Sequence, residues 1–209
     1  MTDKVNHEQE EGFEEYEVSS ESARRADDAG NKLNDYGAFT GKIEDFVAWS
    51  NDKGWKGFIL TFASQFDGVT RQWIMTKDPE GKLSNSKKWV DGLLILTGVK
   101  RLVGELRKEE DKEGKEVTVR FYPELIGKDV GVIFNKIRNE KGFDAVNIVG
   151  LYNPKNNLTP SEIIDGRTTP KLKDKIIKSE ARFIDKSKKG TGQAVNEDAD
   201  TPLAGNYDV

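Results

Sequence analysis

Between Tyr36 and Thr76 apolar and polar residues alternate around two turn signals, and a chain with period two can bury one face only as a β-strand. Phe39, Ile43 and Val47 alternate with Thr40, Lys42 and Glu44, giving a half-buried first strand. Asp52–Gly54 is a turn, Trp55–Ser64 (WKGFILTFAS) a second strand, Asp67-Gly68 a tight hairpin turn, and Thr70–Thr76 a third strand. Pro79 and Gly81 then force the chain to turn again.

Ser84 or Ser86 can cap a helix, and Trp89, Leu93, Leu96, Val103 and Leu106 recur at three- and four-residue steps after it. That apolar face is about six turns long and is weakened by Gly92, Gly98 and Gly104, with Gly98 the place for a break. Arg107–Lys115 (RKEEDKEGK) reads as an exposed charged turn. Val117, Val119 and Phe121 alternate again, Gly127 separates them from Asp129–Arg138, and Asp144–Tyr152 closes the sheet. Thr159-Pro160-Ser161-Glu162 starts a helix, and Lys171–Phe183 reads as a short basic one. The expected fold is mainly β: three hairpin-linked strands, a helix, then a returning pair. That is the order of the OB-fold, a five-stranded Greek-key barrel with a helix between strands 3 and 4. A swapped or elaborated barrel and an open α+β sandwich share much of this order.

Charge divides the chain. Residues 1–35 hold eleven acids and four bases, residues 196–209 four acids and no base, and residues 36–195 a net charge of +7. The expected organisation is an acidic, mostly disordered arm over 1–35, a barrel over 36–155, a basic and partly helical extension over 156–186, and a flexible acidic tail over 187–209. Apolar residues make up only 35% of the 209 residues, so a core requires them to be concentrated in the middle. No run approaches the length of a membrane span, and the acid-rich start lacks the apolar stretch of a secretory leader, so a cytoplasmic protein is expected.

With no cysteine, and His7 the only histidine, disulfides, thiolate metal sites, cysteine nucleophiles and serine–histidine triads are excluded. The phosphate-cradling motifs GxxxxGK[ST] and GxGxxG do not occur. The acid pairs Glu44-Asp45, Asp78/Glu80 and Glu109–Asp111 show no spacing that would converge them on a metal. No catalytic residue, metal site or cofactor is expected.

Nine aromatic residues fall between Tyr36 and Trp73. Most belong in a core, but alternation places Lys42 and Phe46 outward on the first strand, Trp55 outward on the second, and Arg71 and Trp73 outward on the third. Trp49 and Lys56 lie beside them, and Lys136, Arg138 and Lys141 extend the cationic track. Rings paired with cations suit single-stranded nucleic acid, whose bases stack on the rings while its phosphates meet lysine and arginine.

The segments Phe39-Thr40-Gly41-Lys42-Ile43-Glu44, Lys53-Gly54-Trp55-Lys56-Gly57-Phe58, Phe62-Ala63-Ser64-Gln65-Phe66-Asp67-Gly68 and Leu125-Ile126-Gly127-Lys128-Asp129-Val130-Gly131 resemble bacteriophage single-stranded DNA-binding proteins with an OB-fold. The likeness is one of layout, over about residues 36–155. It implies a protein that coats exposed DNA strands during replication, recombination or repair, without sequence preference and without catalytic residues, in the cytoplasm of the host cell. It also implies that an acidic tail, here with Glu197, Asp198, Asp200 and Leu203, recruits replication or recombination proteins. The end Gly205-Asn206-Tyr207-Asp208-Val209 departs from the acid-run-then-phenylalanine ending of bacterial members. Monomer and homodimer are both compatible with this sequence. Two other classes of function fit the same composition: a protein-interaction adaptor on a similar barrel, and a metal-dependent nuclease.

Overall fold

The structure, a computed structural model, describes residues 32–110 and 114–187. The chain runs β1 (Gly37–Ser50), β2 (Lys56–Ser64), β3 (Gly68–Lys77), α1 (Lys87–Thr97), β4 (Glu105–Glu110), β5 (Glu116–Phe121), β6 (Asp129–Arg138), β7 (Asp144–Tyr152), α2 (Pro160–Ile164), α3 (Leu172–Glu180) and β8 (Phe183–Asp185). A single 3₁₀ turn, Pro123–Leu125, joins β5 to β6.

The fold is mainly β, as the alternation requires, but the sheet holds eight strands rather than five and is open. Its path is β3-β2-β1-β5-β4, with β6 on the remaining edge of β1 and β7 and β8 paired to β6. β1 is the hub. Its first half pairs with β6 (Gly37 opposite Phe134, Lys42 opposite Asp129), and its second half meets β5 at Val47–Phe121. Every pair is antiparallel except β6 with β8. β3 pairs with no strand but β2, and β7 with none but β6, so the sheet does not close on itself.

A bulge in β1 decides which residues are inside. Ile43 pairs with Phe62 and Asp45 with Thr61, leaving Glu44 as the extra residue. Ile43 and Phe46, three positions apart, therefore both reach the core, each fully buried. The expected outward position of Phe46 is corrected accordingly, and Val47, expected inward, turns outward. Phe46 stacks on Phe58 with centroids 4.8 Å apart, and Tyr122 meets both rings edge-on. Leu60, Phe62, Leu93, Leu125, Val130, Val132 and Phe134 complete the sealed centre.

α1 covers this core with Val90, Leu93 and Leu96, and stops at Gly98, whose φ of 70° a side chain would resist. The expected helix to Leu106 thus ends three turns in, and the expected charged turn at 107–115 contains a strand, β4. Leu33, placed in the arm from sequence, is 2% exposed and donates its N–H to the Val69 carbonyl at 3.0 Å, so the folded body begins before Tyr36. The expected C-terminal extension is also part of the body, because α3 packs on β7 and β8 joins the sheet.

Glu162 fastens this last segment. Its buried carboxylate accepts the Thr159 N–H at 3.0 Å and hydroxyl at 3.1 Å, closing the capping box of α2. It also accepts the N–H groups of Lys171 and Leu172, at 2.7 and 2.9 Å, at the start of α3. Burial pushes this carboxyl up, but the Thr159, Leu172 and Lys171 N–H groups and the Thr159 hydroxyl outweigh it and hold the pKa at about 2. The rest of the acidic arm and the whole acidic tail lie outside the described residues.

Candidate nucleic-acid interface

Paired residues in adjacent strands point to the same side, so the register defines rows across the outer face of β1, β2 and β3. These rows are Lys42–Ala63–Val69, Asp45–Thr61–Arg71, Val47–Ile59–Trp73 and Trp49–Gly57–Met75, about 7 Å from one to the next. The opposite side of the same strands carries the buried Ile43, Phe46, Leu60, Phe62, Gln72 and Ile74. β5 lengthens the third row, since Phe121 pairs with Val47. The result is an apolar stripe, Trp73–Ile59–Val47–Phe121, running across four strands.

Trp73 is 41% exposed and has no ring or cation partner among the described residues. Arg71, two residues earlier on the same strand, is exposed and forms no ion pair with any described residue. At the far end of the stripe the Arg107 guanidinium lies 4.7 Å from the centroid of Phe121. Arg107 also binds Asp45 at 2.7 Å and Glu109. The hydrogen bond to Asp45 raises the Arg107 pKa, against the opposing effect of burial, so this cation stays charged at any working pH.

Of the residues singled out from sequence, this face gathers Lys42, Trp49, Arg71 and Trp73. Lys42 pairs with Asp129 at 3.0 Å across an open groove of about 490 Å³ lined by Thr40, Ser64, Gln65 and Ile126. Trp55 precedes β2 instead of lying on it, half-buried, with its N–H on the Asn51 side chain at 3.0 Å. Lys56 is exposed at the rim, paired with Ser50 and Lys77, on the opposite side of the strand from its neighbour Gly57. Phe46, in the core, is excluded from any surface.

Lys136, Arg138 and Lys141 do not extend the track of Trp73. β6 meets the first half of β1, whereas Trp49 lies at the other end of that strand. Arg138 and Lys136 bind Asp144, at 2.7 and 3.2 Å. The Arg138 hydrogen bond is the main cause that holds the Asp144 pKa down at about 2. The same two cations lie over the ring of Phe183, at 5.2 and 6.0 Å. Lys141 is exposed in the β6–β7 turn, where the Asn139 side chain accepts its N–H.

Sequence reasoning missed Arg107, Phe121 and Val47. The alternation of Val117, Val119 and Phe121 announces a strand but not its neighbour, and the signal for Arg107 was hidden in a run of charges. Glu197, Asp198, Asp200 and Leu203 lie outside the described residues. Among the described residues no three acidic or histidine side chains converge as a metal-ligand set, and no helix is long and apolar enough to cross a membrane. No family model matches the chain, and no curated protein is similar enough in sequence to match it.

Proposed function

We propose that the outer face of β1, β2, β3 and β5 binds single-stranded DNA without sequence preference, and that the protein coats exposed strands during replication, recombination or repair. The observation that carries this reading is Trp73. It is a large ring left half in water at the head of an apolar stripe, with the unpaired guanidinium of Arg71 beside it. A ring so placed on a monomer's surface gains nothing from folding, but an unstacked base can lie on it while its phosphate meets Arg71. A duplex keeps its base faces stacked internally and would leave the stripe unused.

The OB-like arrangement belongs to the same reading. It rests on the element order and on β1 serving two neighbours, and binding across the β2–β3 face is how such a barrel holds oligonucleotides. Recruitment of replication proteins through Glu197, Asp198, Asp200 and Leu203 is part of the proposal as well.

Titrating the protein with oligo-dT while following tryptophan emission tests the reading. Quenching, and binding much tighter than to a matched duplex, is the expected result. Equal affinity for duplex, or emission that does not change on binding, would remove it. A protein that ignores DNA and instead co-purifies with another protein would point to the adaptor class.

A further inference from the structure

Arg107 differs from Arg71 in being occupied. Its guanidinium donates to Asp45 Oδ2 at 2.7 Å and, through Nε, to Glu109 Oε1 at 2.7 Å, while its plane lies over Phe121. Arg71 sits at the β3 side of the apolar stripe and Arg107 at the β5 side, so the two bracket the rings between them. Asp45 and Arg71 belong to one cross-strand row, linked through Thr61.

We infer that Arg107 is a second phosphate-binding position on this face, and that the Asp45 and Glu109 carboxylates hold its fork in the free protein until a phosphodiester displaces them. The inference rests on the proposed single-strand binding and adds to it a site and a competitor. The chemistry is that of one acceptor replacing another: carboxylate and phosphate both offer paired oxygens to the flat guanidinium. Stacking on Phe121 keeps that plane parallel to the surface across which the strand runs. The side chains of Arg107, Asp45 and Glu109 are 35%, 26% and 38% exposed, so no burial barrier prevents the exchange. Exposed ion pairs of this kind are weak enough for a polyanion to displace. The Asp45 Oδ1 atom accepts the Phe46 N–H at 3.0 Å, and an asparagine retains that bond while losing the charge.

The test is a double-mutant cycle on the full chain: wild type, Asp45→Asn, Arg107→Ala and the double variant, binding labelled oligo-dT across a salt series. Thermal melts of all four accompany it. Asp45→Asn is expected to tighten binding about threefold to tenfold at about 50 mM salt and to steepen the log–log salt slope by about 0.7, the signature of one more phosphate on a single strand. Arg107→Ala is expected to weaken binding and to abolish the gain from Asp45→Asn. A gain that persists without Arg107, or an Asp45→Asn protein that melts normally and binds no tighter, overturns the inference. Should Asp45→Asn fail to fold, Glu109→Gln tests the same competition, and an unchanged affinity there overturns it equally. A wild type that binds and is quenched, with no Asp45–Arg107 coupling, removes the inference alone; a wild type that does not bind removes the parent reading too.

Discussion

Trp73 and Glu162 represent opposite uses of a single side chain. Trp73→Ala removes a ring that packs little, so folding should survive while oligo-dT binding weakens by about 1–3 kcal/mol and most of the quenching is lost. Glu162→Gln removes a charge that four protein donors share, and the melting temperature should fall with a loss of about 2 kcal/mol near neutral pH. Because the folded pKa, about 2, lies below the ordinary glutamate value, the stabilisation is complete above about pH 4.5 and disappears as pH falls towards 2. Urea midpoints measured from pH 6 to pH 2 should thus fall more steeply for wild type than for Glu162→Gln. At this scale the alternation located Lys42, Arg71 and Trp73 correctly. It exchanged Phe46 with Val47, because one extra residue at Glu44 inverts every inward–outward assignment after it.

The elements that announce themselves are those with local chemistry: the hairpin turn at Asp67-Gly68, the helix stop at Gly98, and the Thr159–Glu162 capping box. β4 gave no such sign. The β4–β5 ribbon alternates charged residues with half-buried ones and has no apolar face sealed beneath it, so its residues resemble a solvated loop. Gly41 marks where β1 passes from one neighbour to the other. A Cβ there would stand 1.9 Å from the Ala63 carbonyl oxygen and 2.9 Å from the Phe62 ring. Both strands would have to separate to admit it, so Gly41→Ala is expected to destabilise the fold by about 3 kcal/mol or more, read as a lowered urea midpoint. A Cβ at Gly98 meets nothing within 4 Å, and Gly98→Ala should cost only the backbone strain of its positive φ, about 1 kcal/mol.

At the scale of the whole molecule, charge was legible and closure was not. The +7 of residues 36–195 between acidic ends is visible in the sequence, and it carries its own expectation. Removing residues 196–209, with their four acids, should tighten single-strand binding and steepen its dependence on salt, as measured by gel shift beside the intact chain. Whether a set of strands seals into a barrel depends on pairings between segments far apart, which periodicity does not encode. β1 divides its length between β6 and β5, and β8 arrives parallel to β6. That last pairing bears on how the protein is made. β8 takes over the flank of β6 beyond the point where β1 leaves it, and its residues are translated about 45 positions after Arg138. While the ribosome works through those positions, the backbone from Lys136 to Arg138 is open to a strand from any neighbouring chain. Two like charges on that stretch give an approaching strand poor company, so the cations of β6 double as guardians of an unfinished protein.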